Sequence, residues 1–389
     1  MIQVQPADHP YGEQNTAEDD GAVVSPRTGR SVFGRRSGGV QRKEGAVLIQ
    51  LGVLDQVYVS EGRTPHDALR ESTRLAQAAE SFGYRRFWVS EHHGMRAIAF
   101  SSPEVLIAHL AAATRTIRVG AGGIMLPHYS AYKVAENFRL LEALHPGRID
   151  LGLGRAPGGM PLAAQALQED KLVDINKYPQ QVLDVIGFLY DALPEGHPYA
   201  TLLASPDIPT APEVWLLGSS GESARYAAVL GTPYAFAEFF GTPGGVEAIA
   251  HYRRHFQRNP VLDSGPRAMI ATVAICAETE EEADRLAKSS DLLFSGIRTG
   301  KEFPYLPSVK TALEYPYTPF ELEVIRQIRQ RRVVGTPEQV KEKLLRLAAE
   351  YDVDEILINS PIHDEEARIR SYRLIAEAFG LQPAAESSA

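Results

Sequence analysis

The chain has 389 residues, of which 44% are hydrophobic and 23% charged, and its formal net charge is -9. These values are ordinary for a globular protein. The acidic balance argues against a nucleic-acid-binding protein, because such a protein normally carries a basic face.

One cysteine, Cys276, is present, so no disulfide can form within the chain. It lies in an apolar run, and we interpret it as a core residue rather than a nucleophile. No stretch approaches the roughly 18 apolar residues that span a membrane. The first residues also lack the apolar segment of an export signal, so we expect a cytoplasmic protein without membrane contact.

Residues 1–44 differ in composition from everything that follows. Residues 1–20 carry five acidic residues and no Lys or Arg, whereas residues 21–43 carry six basic residues and no acidic ones. Apolar residues are few and aperiodic, which is typical of disorder. We therefore predict a disordered extension at 1–44, a folded domain at 45–383 and a flexible tail at 384–389.

Short apolar runs alternate with helical periodicity throughout the folded part. The predicted strands are 46–54, 85–91, 117–127, 149–154, 213–219, 233–239, 268–278 and 355–361. The predicted helices are 65–83, 102–115, 131–147, 179–193, 222–231, 245–256, 280–293, 336–352 and 365–380. Apolar strands of this kind are typical of parallel sheets that are buried on both faces.

Eight strand–helix units predict an α/β protein with a single (β/α)8 TIM barrel. An open, doubly wound sheet is the alternative, because Gly152 and Gly154 begin a dinucleotide-type motif. Pro157 occupies its third glycine position, however, and the segment does not follow the first strand, so the match is weak.

Two segments are longer than a minimal barrel requires. They are 156–179, after the fourth strand, and roughly 295–332, after the seventh. We expect both on the C-terminal face of the barrel, where they would act as a lid or as binding loops. Subunit contact is the alternative for each.

The second strand ends in Glu91, His92 and His93. Side chains alternate along a strand, so His92 faces away from Glu91 and His93, and adjacent histidines do not easily chelate one metal. No helical HExxH spacing or Cys/His cluster is present, so we predict no metal site. A catalytic histidine and a polar strand end without catalytic function remain as alternatives.

The fifth strand leads into a turn and helix containing Gly218, Ser219, Ser220 and Ser223. Free N–H groups at a helix start and serine hydroxyls form a cradle for an anion, and Arg155 after the fourth strand supplies a charge. A helix cap without a ligand is the alternative.

The third strand contains small residues that include Gly122 and Gly123. Glycine inside a strand marks either the close approach of a flat ligand or tight packing against the neighbouring helix.

Three segments together resemble the luciferase-like flavin-dependent monooxygenases, and in particular a branch related to bacterial luciferase. They are YRRFWVSEHHG, IRVGAGGIMLPHYSAYKVAENFRLLEALHPGRIDLGLGRAPG and VWLLGSSGESARYAAVLGTPYAFAEFF. The resemblance covers about residues 48–380. It implies a barrel that binds reduced FMN at its mouth, with the segment 295–332 as a mobile lid.

The resemblance also implies roles for individual residues. Arg155 and the serine turn would hold the flavin phosphate, and the Gly122–Gly123 bond would be a non-prolyl cis peptide beneath the flavin ring. His92 matches the family's active-site histidine, and Glu91 and His93 would orient it or its surroundings.

The implied reaction uses reduced FMN and O2 to insert one oxygen atom into a small organic substrate, with His92 as general acid and base. A separate flavin reductase and a homodimer are also implied. Because Gly154 stands where luciferase has a cysteine, we do not expect light emission. An F420- or FMN-dependent dehydrogenase or reductase and a flavin-binding protein without catalysis are the alternatives.

Overall fold

The structure, a computed structural model, describes residues 49–156, 159, 161–169 and 174–384. The predicted N-terminal extension and residues 385–389 of the predicted tail lie outside the described residues. So do Pro157 and the middle of the loop that follows the fourth strand.

Nine parallel strands of the described residues form the sheet. They are β1 (Gln50–Asp55), β2 (Arg86–Val89), β3 (Arg118–Met125), β4 (Ile149–Gly154), β5 (Glu213–Gly218), β6 (Tyr234–Ala237), β7 (Ala268–Cys276), β8 (Val333–Gly335) and β9 (Glu355–Asn359). Neighbours pair in the order β1 to β7, then β9, and β9 pairs with β1. The pairing of β6 with β7 closes the ring, so the predicted (β/α)8 barrel is confirmed and the open sheet is wrong.

Twelve α-helices accompany the strands in the described part of the chain. They are α1 (Pro65–Phe82), α2 (Pro103–Ala113), α3 (Ala131–Leu144), α4 (Pro161–Gln168), α5 (Tyr178–Leu189), α6 (Gly221–Leu230), α7 (Gly245–Arg254), α8 (Glu280–Thr299), α9 (Val309–Glu314), α10 (Pro319–Arg329), α11 (Pro337–Tyr351) and α12 (Glu365–Phe379). None of these helices is both long and apolar enough to cross a membrane.

The ends of α1 show how local sequence sets the helix boundaries. Thr64 caps the first turn by accepting the backbone N–H of Asp67, whose side chain in turn accepts from Thr64. Gly83 ends the helix with φ 88 in the left-handed region, and a Cβ there would lie 2.5 Å from backbone atoms of Gln382. Both conditions require glycine at this position.

The strand β8 and the full length of α8 were missed by the sequence patterns. Strand β7 has nine residues, and its last three (274–276) extend past the part that pairs with β9. Strand β8 pairs with that extension and so joins the 295–332 segment to the barrel. Three residues are too few for a period to be visible.

Cys276 is 1% exposed, as its interpretation as a core residue requires. Burial raises the pKa of its thiol to about 12, so the thiol stays protonated at neutral pH and is a poor nucleophile.

The N-terminal ends of the strands carry a buried network of charges. Arg86 is fully buried at the start of β2, and its guanidinium contacts Asp150 of β4 at 2.6 Å and Glu355 of β9 at 2.5 Å. Arg118 of β3 shares Asp150 at 2.5 Å. Burial alone lowers the pKa of Arg86, but the neighbouring carboxylates outweigh burial and raise it.

Replacing Arg86 by Met keeps an apolar side chain of similar length but leaves Asp150 and Glu355 without this cation. We expect the free energy of unfolding to fall by about 3–5 kcal/mol, because unpaired buried charges are costly. Urea denaturation followed by circular dichroism measures it. Arg258→Met is the control, since that side chain is 72% exposed and pairs with Asp263 at the surface. A loss no larger than in this control would contradict the structural importance of the network.

Candidate active site

The segment after β2 places Glu91 inside the protein, where it joins two strand ends. Glu91 is 0% exposed and accepts the backbone N–H of Met125 at 2.8 Å, at the end of β3. It also accepts the hydroxyl of Tyr129 at 2.7 Å and Nε2 of His93 at 2.7 Å. The predicted pair Glu91 and His93 is therefore in direct contact, and Glu91 has three donors.

Tyr129 is a member of this cluster that sequence reasoning missed. Burial, together with its hydrogen bond to Glu91, raises the pKa of Tyr129, so its phenol remains protonated and donates. The available signal was its position just after β3, in the segment MLPHYS. His93 is 8% exposed. Its backbone forms an isolated parallel β-bridge with Gly159 in the loop after β4, which connects this loop to the cluster.

His92 faces away from this cluster, toward the end of β1, although β2 itself ends at Val89. Its Nε2 lies 2.7 Å from the side-chain oxygen of Gln56, which follows β1. The hydroxyl of Ser90 donates to the same oxygen at 3.3 Å. Because an amide oxygen only accepts, Nε2 of His92 is the donor in this contact.

The turn that carries Gln56 is held by a buried ion pair. Asp55 is fully buried, and one of its oxygens accepts the N–H of Val57 at 2.8 Å and Nη2 of Arg368 at 2.5 Å. Val57 has φ 52, a conformation that is unfavourable for a β-branched residue. Asp55 thus stabilises a strained turn whose neighbouring side chain contacts His92.

A cavity of about 930 Å³ opens beside His92 and Gln56. Its walls come from the ends of β1, β2 and β6 and from the predicted insertion at 295–332. The insertion therefore lies on the C-terminal face, as predicted. Its role as a mobile lid stays a prediction.

The two glycines of β3 are joined by a cis peptide bond, as the resemblance implied. A Cβ on Gly122 would lie 3.0 Å from the ring of Trp88, and one on Gly123 would lie 2.6 Å from the carbonyl oxygen of Gly152. Tight packing is thus present at both positions. The flat ligand predicted above them remains a prediction.

The serines predicted to form an anion cradle lie together at the start of α6, and anion binding there stays a prediction. The Ser223 hydroxyl donates to the carbonyl of Ser220 at 2.8 Å and lies 2.9 Å from the Tyr234 hydroxyl, and the Ser220 N–H points to it at 3.4 Å. A Cβ on Gly218 would overlap the same hydroxyl, so only glycine fits there. Ser219 lies between these residues in the chain.

Arg155 reaches this helix start from the end of β4, so the structure brings together the residues predicted to hold a phosphate. Its guanidinium donates to the carboxylate of Glu222 in the first turn of α6 and lies 5.7 Å from the ring of Tyr226. This hydrogen bond raises the pKa of Arg155 and lowers the pKa of Glu222. None of these residues lines the cavity beside His92.

Within the described ranges, no group of three or more His, Cys, Asp and Glu side chains is arranged to hold a metal ion.

Comparison with known proteins identifies the family. The sequence profile described as "Luciferase-like monooxygenase" matches residues 49–355. The chain belongs to this family.

Two members from Bacillus subtilis (strain 168) are similar over almost their whole length. "Uncharacterized protein YwcH" is 50% identical over 332 residues, which cover 85% of this chain and 99% of that protein. "N-acetyl-S-alkylcysteine monooxygenase" is 38% identical over 333 residues, which cover 85% and 98%.

Solved structures of other proteins share the barrel. Apo-MsnO8 superposes with a TM-score of 0.78 and 39% identity, covering 86% of this chain and 100% of that one. Two more distant structures share the fold. One is the oxygenating constituent of 3,6-diketocamphane monooxygenase from Pseudomonas putida in complex with FMN, with TM-score 0.61, 18% identity and coverage of 86% and 98%. The other is an F420-dependent secondary alcohol dehydrogenase, with TM-score 0.61, 12% identity and coverage of 85% and 99%.

Replacing Glu91 by Ala removes the acceptor shared by Met125, Tyr129 and His93. We expect the free energy of unfolding to fall by about 2–4 kcal/mol, because buried donors lose their partner. Glu91→Gln retains one acceptor oxygen and should lose less. Urea denaturation of the three proteins checks this order. Equal stability of the Ala and Gln variants would show that the hydrogen bonds of Glu91 contribute little.

Proposed function

We propose that this protein is a flavin-dependent monooxygenase that uses reduced FMN and O2 to oxygenate a small organic substrate. The observation that carries the proposal is the arrangement of the barrel mouth. The residues that we assign to phosphate binding, including Arg155, lie at the ends of β4 and β5, and a large cavity lined by His92 lies at the ends of β1, β2 and β6. Family membership supports the same chemistry.

The residues of the cradle fit a phosphate. Arg155 lies at the start of a ten-residue helix whose dipole favours negative charge, and a bound phosphate would replace the carboxylate of Glu222 as the partner of its guanidinium. Arg155, Ser219 and Ser220 would hold the phosphate of FMN, and Ser223 would fix the turn through its bonds to Ser220 and Tyr234. The backbone of Gly122–Gly123 would lie beneath the flavin ring.

Bound reduced FMN would supply the electrons for the activation of O2, so that substrate, reduced FMN and O2 give oxygenated substrate, oxidised FMN and water. The protein's own part is positioning and proton transfer. His92 would exchange a proton, while Gln56 fixes its ring through Nε2. Glu91 and His93 would hold the ends of β2 and β3 in register around the flavin.

The partners and substrate are part of the same proposal. A separate reductase would supply reduced FMN, the protein would act as a homodimer, and a cytoplasmic location is expected. One relative's name specifies N-acetyl-S-alkylcysteine, so thioethers belong in the first substrate screen. An F420-dependent dehydrogenase is the second candidate, because one structure with this fold uses F420.

The experiment that tests the proposal is an anaerobic titration of the purified protein with reduced FMN and, separately, with reduced F420. We expect selective binding of reduced FMN. Admission of 18O2 together with candidate thioethers should then give products that contain one 18O atom, detected by mass spectrometry. Selective binding of F420 would favour the dehydrogenase. Binding of FMN with no labelled product from a broad screen would favour a flavin-binding protein without this catalysis.

Arg155→Gln tests the phosphate assignment. Loss of the charged donor should weaken FMN binding by about tenfold or more, because hydrogen bonds to charged groups contribute about 1.5–3 kcal/mol. Riboflavin lacks the phosphate and is the matched control ligand. Its affinity should be unchanged. Fluorescence quenching of each flavin measures both constants. If the variant binds FMN as tightly as wild type does, the phosphate does not bind at Arg155.

His92→Ala tests the role of the histidine. The variant should bind reduced FMN normally but lose product formation by about 100-fold or more, as expected for a general acid and base. Gln56→Ala is a companion variant, which should lower turnover less because it only releases one ring nitrogen. Product per flavin oxidised is the measurement. A His92→Ala protein with a wild-type yield would show that the histidine is structural.

A further inference from the structure

The cavity beside His92 combines an apolar wall with a cationic end. The wall consists of large side chains from the segment after β6 and from the α8 region: Phe239, Phe240, Leu293, Phe294, Ile297 and Phe303. Four arginines line the same cavity: Arg96, and the three that form what we call its cationic end, Arg298, Arg331 and Arg332. The family resemblance assigned no role to them, and the reaction proposed above makes no use of them.

Arg332 is the most buried of the three. Its side chain is 5% exposed, and its guanidinium lies 4.6 Å from the centre of the Phe294 ring. Nη1 donates to the hydroxyl of Ser290 at 2.8 Å and to Asp291 at 3.3 Å. Burial lowers the pKa of Arg332 to about 10, so the side chain is still charged at neutral pH.

Asp291 does not neutralise Arg332 fully, because it has a closer partner. Nε of Arg329 donates to both oxygens of Asp291 at 2.8 Å, and its Nη2 lies 2.7 Å from one of them. One carboxylate is thus divided between two guanidinium groups. The hydrogen bonds of Arg332 to described residues come from Nη1 alone, so Nε and Nη2 remain available for a ligand.

The other two arginines add positive charge at this end. Arg298 donates to the backbone carbonyl of Phe240 at 2.9 Å, which is a neutral partner. A Cβ on Gly241 would lie 2.7 Å from Nη2 of Arg298 and 3.4 Å from Cδ of Arg331, so the two side chains converge there. Among the described residues, neither forms an ion pair with a carboxylate.

The acidic groups of the cavity offset this charge only in part. Glu238 is 4% exposed and accepts the hydroxyl of Thr272 at 2.8 Å, and burial raises its pKa, which favours the neutral form. Glu302 is the other acidic residue in the lining. Lys301 also lines the cavity, but it pairs with Glu321 at 2.7 Å. The arginine end therefore favours an anion.

We infer that the substrate of this cavity is a carboxylate with an apolar, preferably aromatic, body. The carboxylate would bind Arg331 and Arg332, the body would pack against the phenylalanines, and the atom to be oxygenated would lie toward His92. The inference rests on the proposed function for the reaction, but the binding it specifies is independent of flavin chemistry. A guanidinium suits a carboxylate because it forms paired, charge-assisted hydrogen bonds.

The test compares two ligands that differ in charge but have nearly the same shape, 4-phenylbutanoate and 4-phenylbutanamide. Dissociation constants are measured by isothermal titration with the full-length protein. We expect the acid to bind wild type about tenfold or more tightly than the amide. Arg331→Gln and Arg332→Gln should each remove most of this preference and leave the affinity for the amide unchanged. Arg258→Gln, which removes an exposed surface charge, should retain it.

Because Arg332 is buried, its loss could unfold the protein, so circular dichroism is recorded for each variant. Two variants are less prone to unfolding. Arg331→Gln changes an exposed residue, and Arg332→Lys keeps the positive charge. Arg332→Lys should retain part of the preference. Equal affinity for acid and amide in wild type, or a preference that survives in Arg331→Gln and in every folded Arg332 variant, would overturn the inference.

A flavin titration of the same variants separates the two anions that an arginine end could bind. If Arg331→Gln weakens FMN but not riboflavin, these arginines bind the cofactor phosphate and the inference is wrong. If FMN affinity is unchanged and the acid preference is lost, the substrate assignment holds. Failure of wild type to bind reduced FMN would refute the proposed function alone, since the acid and amide titrations contain no flavin.

Discussion

The carboxylates that surround Arg86 set the geometry on which the rest of the barrel depends. They come from the first two residues of β4, β5 and β9, and Arg86 itself begins β2. A charge that is shared by four strands fixes their relative register, because sliding one strand by a residue would leave a buried charge unpaired. The guanidinium lies near the rings of Trp88 and Trp215, 5.6 and 5.1 Å from their centres, so this end of the barrel is closed by packed side chains.

The network around Arg86 fixes the end of the barrel at which the strands begin. At the opposite end, where the strands finish, buried polar groups connect one strand end to a neighbouring element. Glu91 links the ends of β2 and β3, and Asp55 links the end of β1 to α12 through Arg368. Each carboxylate accepts a backbone N–H from a residue close to the mouth. Consequently the side chains around His92 are held by two buried acids that need not take part in any reaction.

The sequence predicted the barrel well, because parallel strands buried on both faces give continuous apolar runs and each is followed by a helix with clear periodicity. It also located Arg155 and the serine turn correctly at one helix start, and placed His92 opposite to Glu91 and His93. The roles assigned to these residues stay predictions. Strand β8 was missed because it is short and depends on an extension of β7 that no local pattern reveals. Gln56 and Tyr129 were missed because their importance comes from contacts across strands.

Strand β7 pairs with β6 and β9 inside the ring and with β8 outside it. The segment that ends in β8 is therefore attached to the barrel without being part of the ring. The arginines Arg298, Arg331 and Arg332 and most of the wall belong to the chain between β7 and β9, whereas Arg155 and the serine turn follow β4 and β5. Strand β8 anchors that wall to an extension of β7 that lies outside the closed ring. Mutations in the wall can therefore accumulate without altering the register of the ring or the cradle. On the function and substrate site that we propose, such a layout would allow descendants to change the compounds they accept while inheriting the same phosphate site.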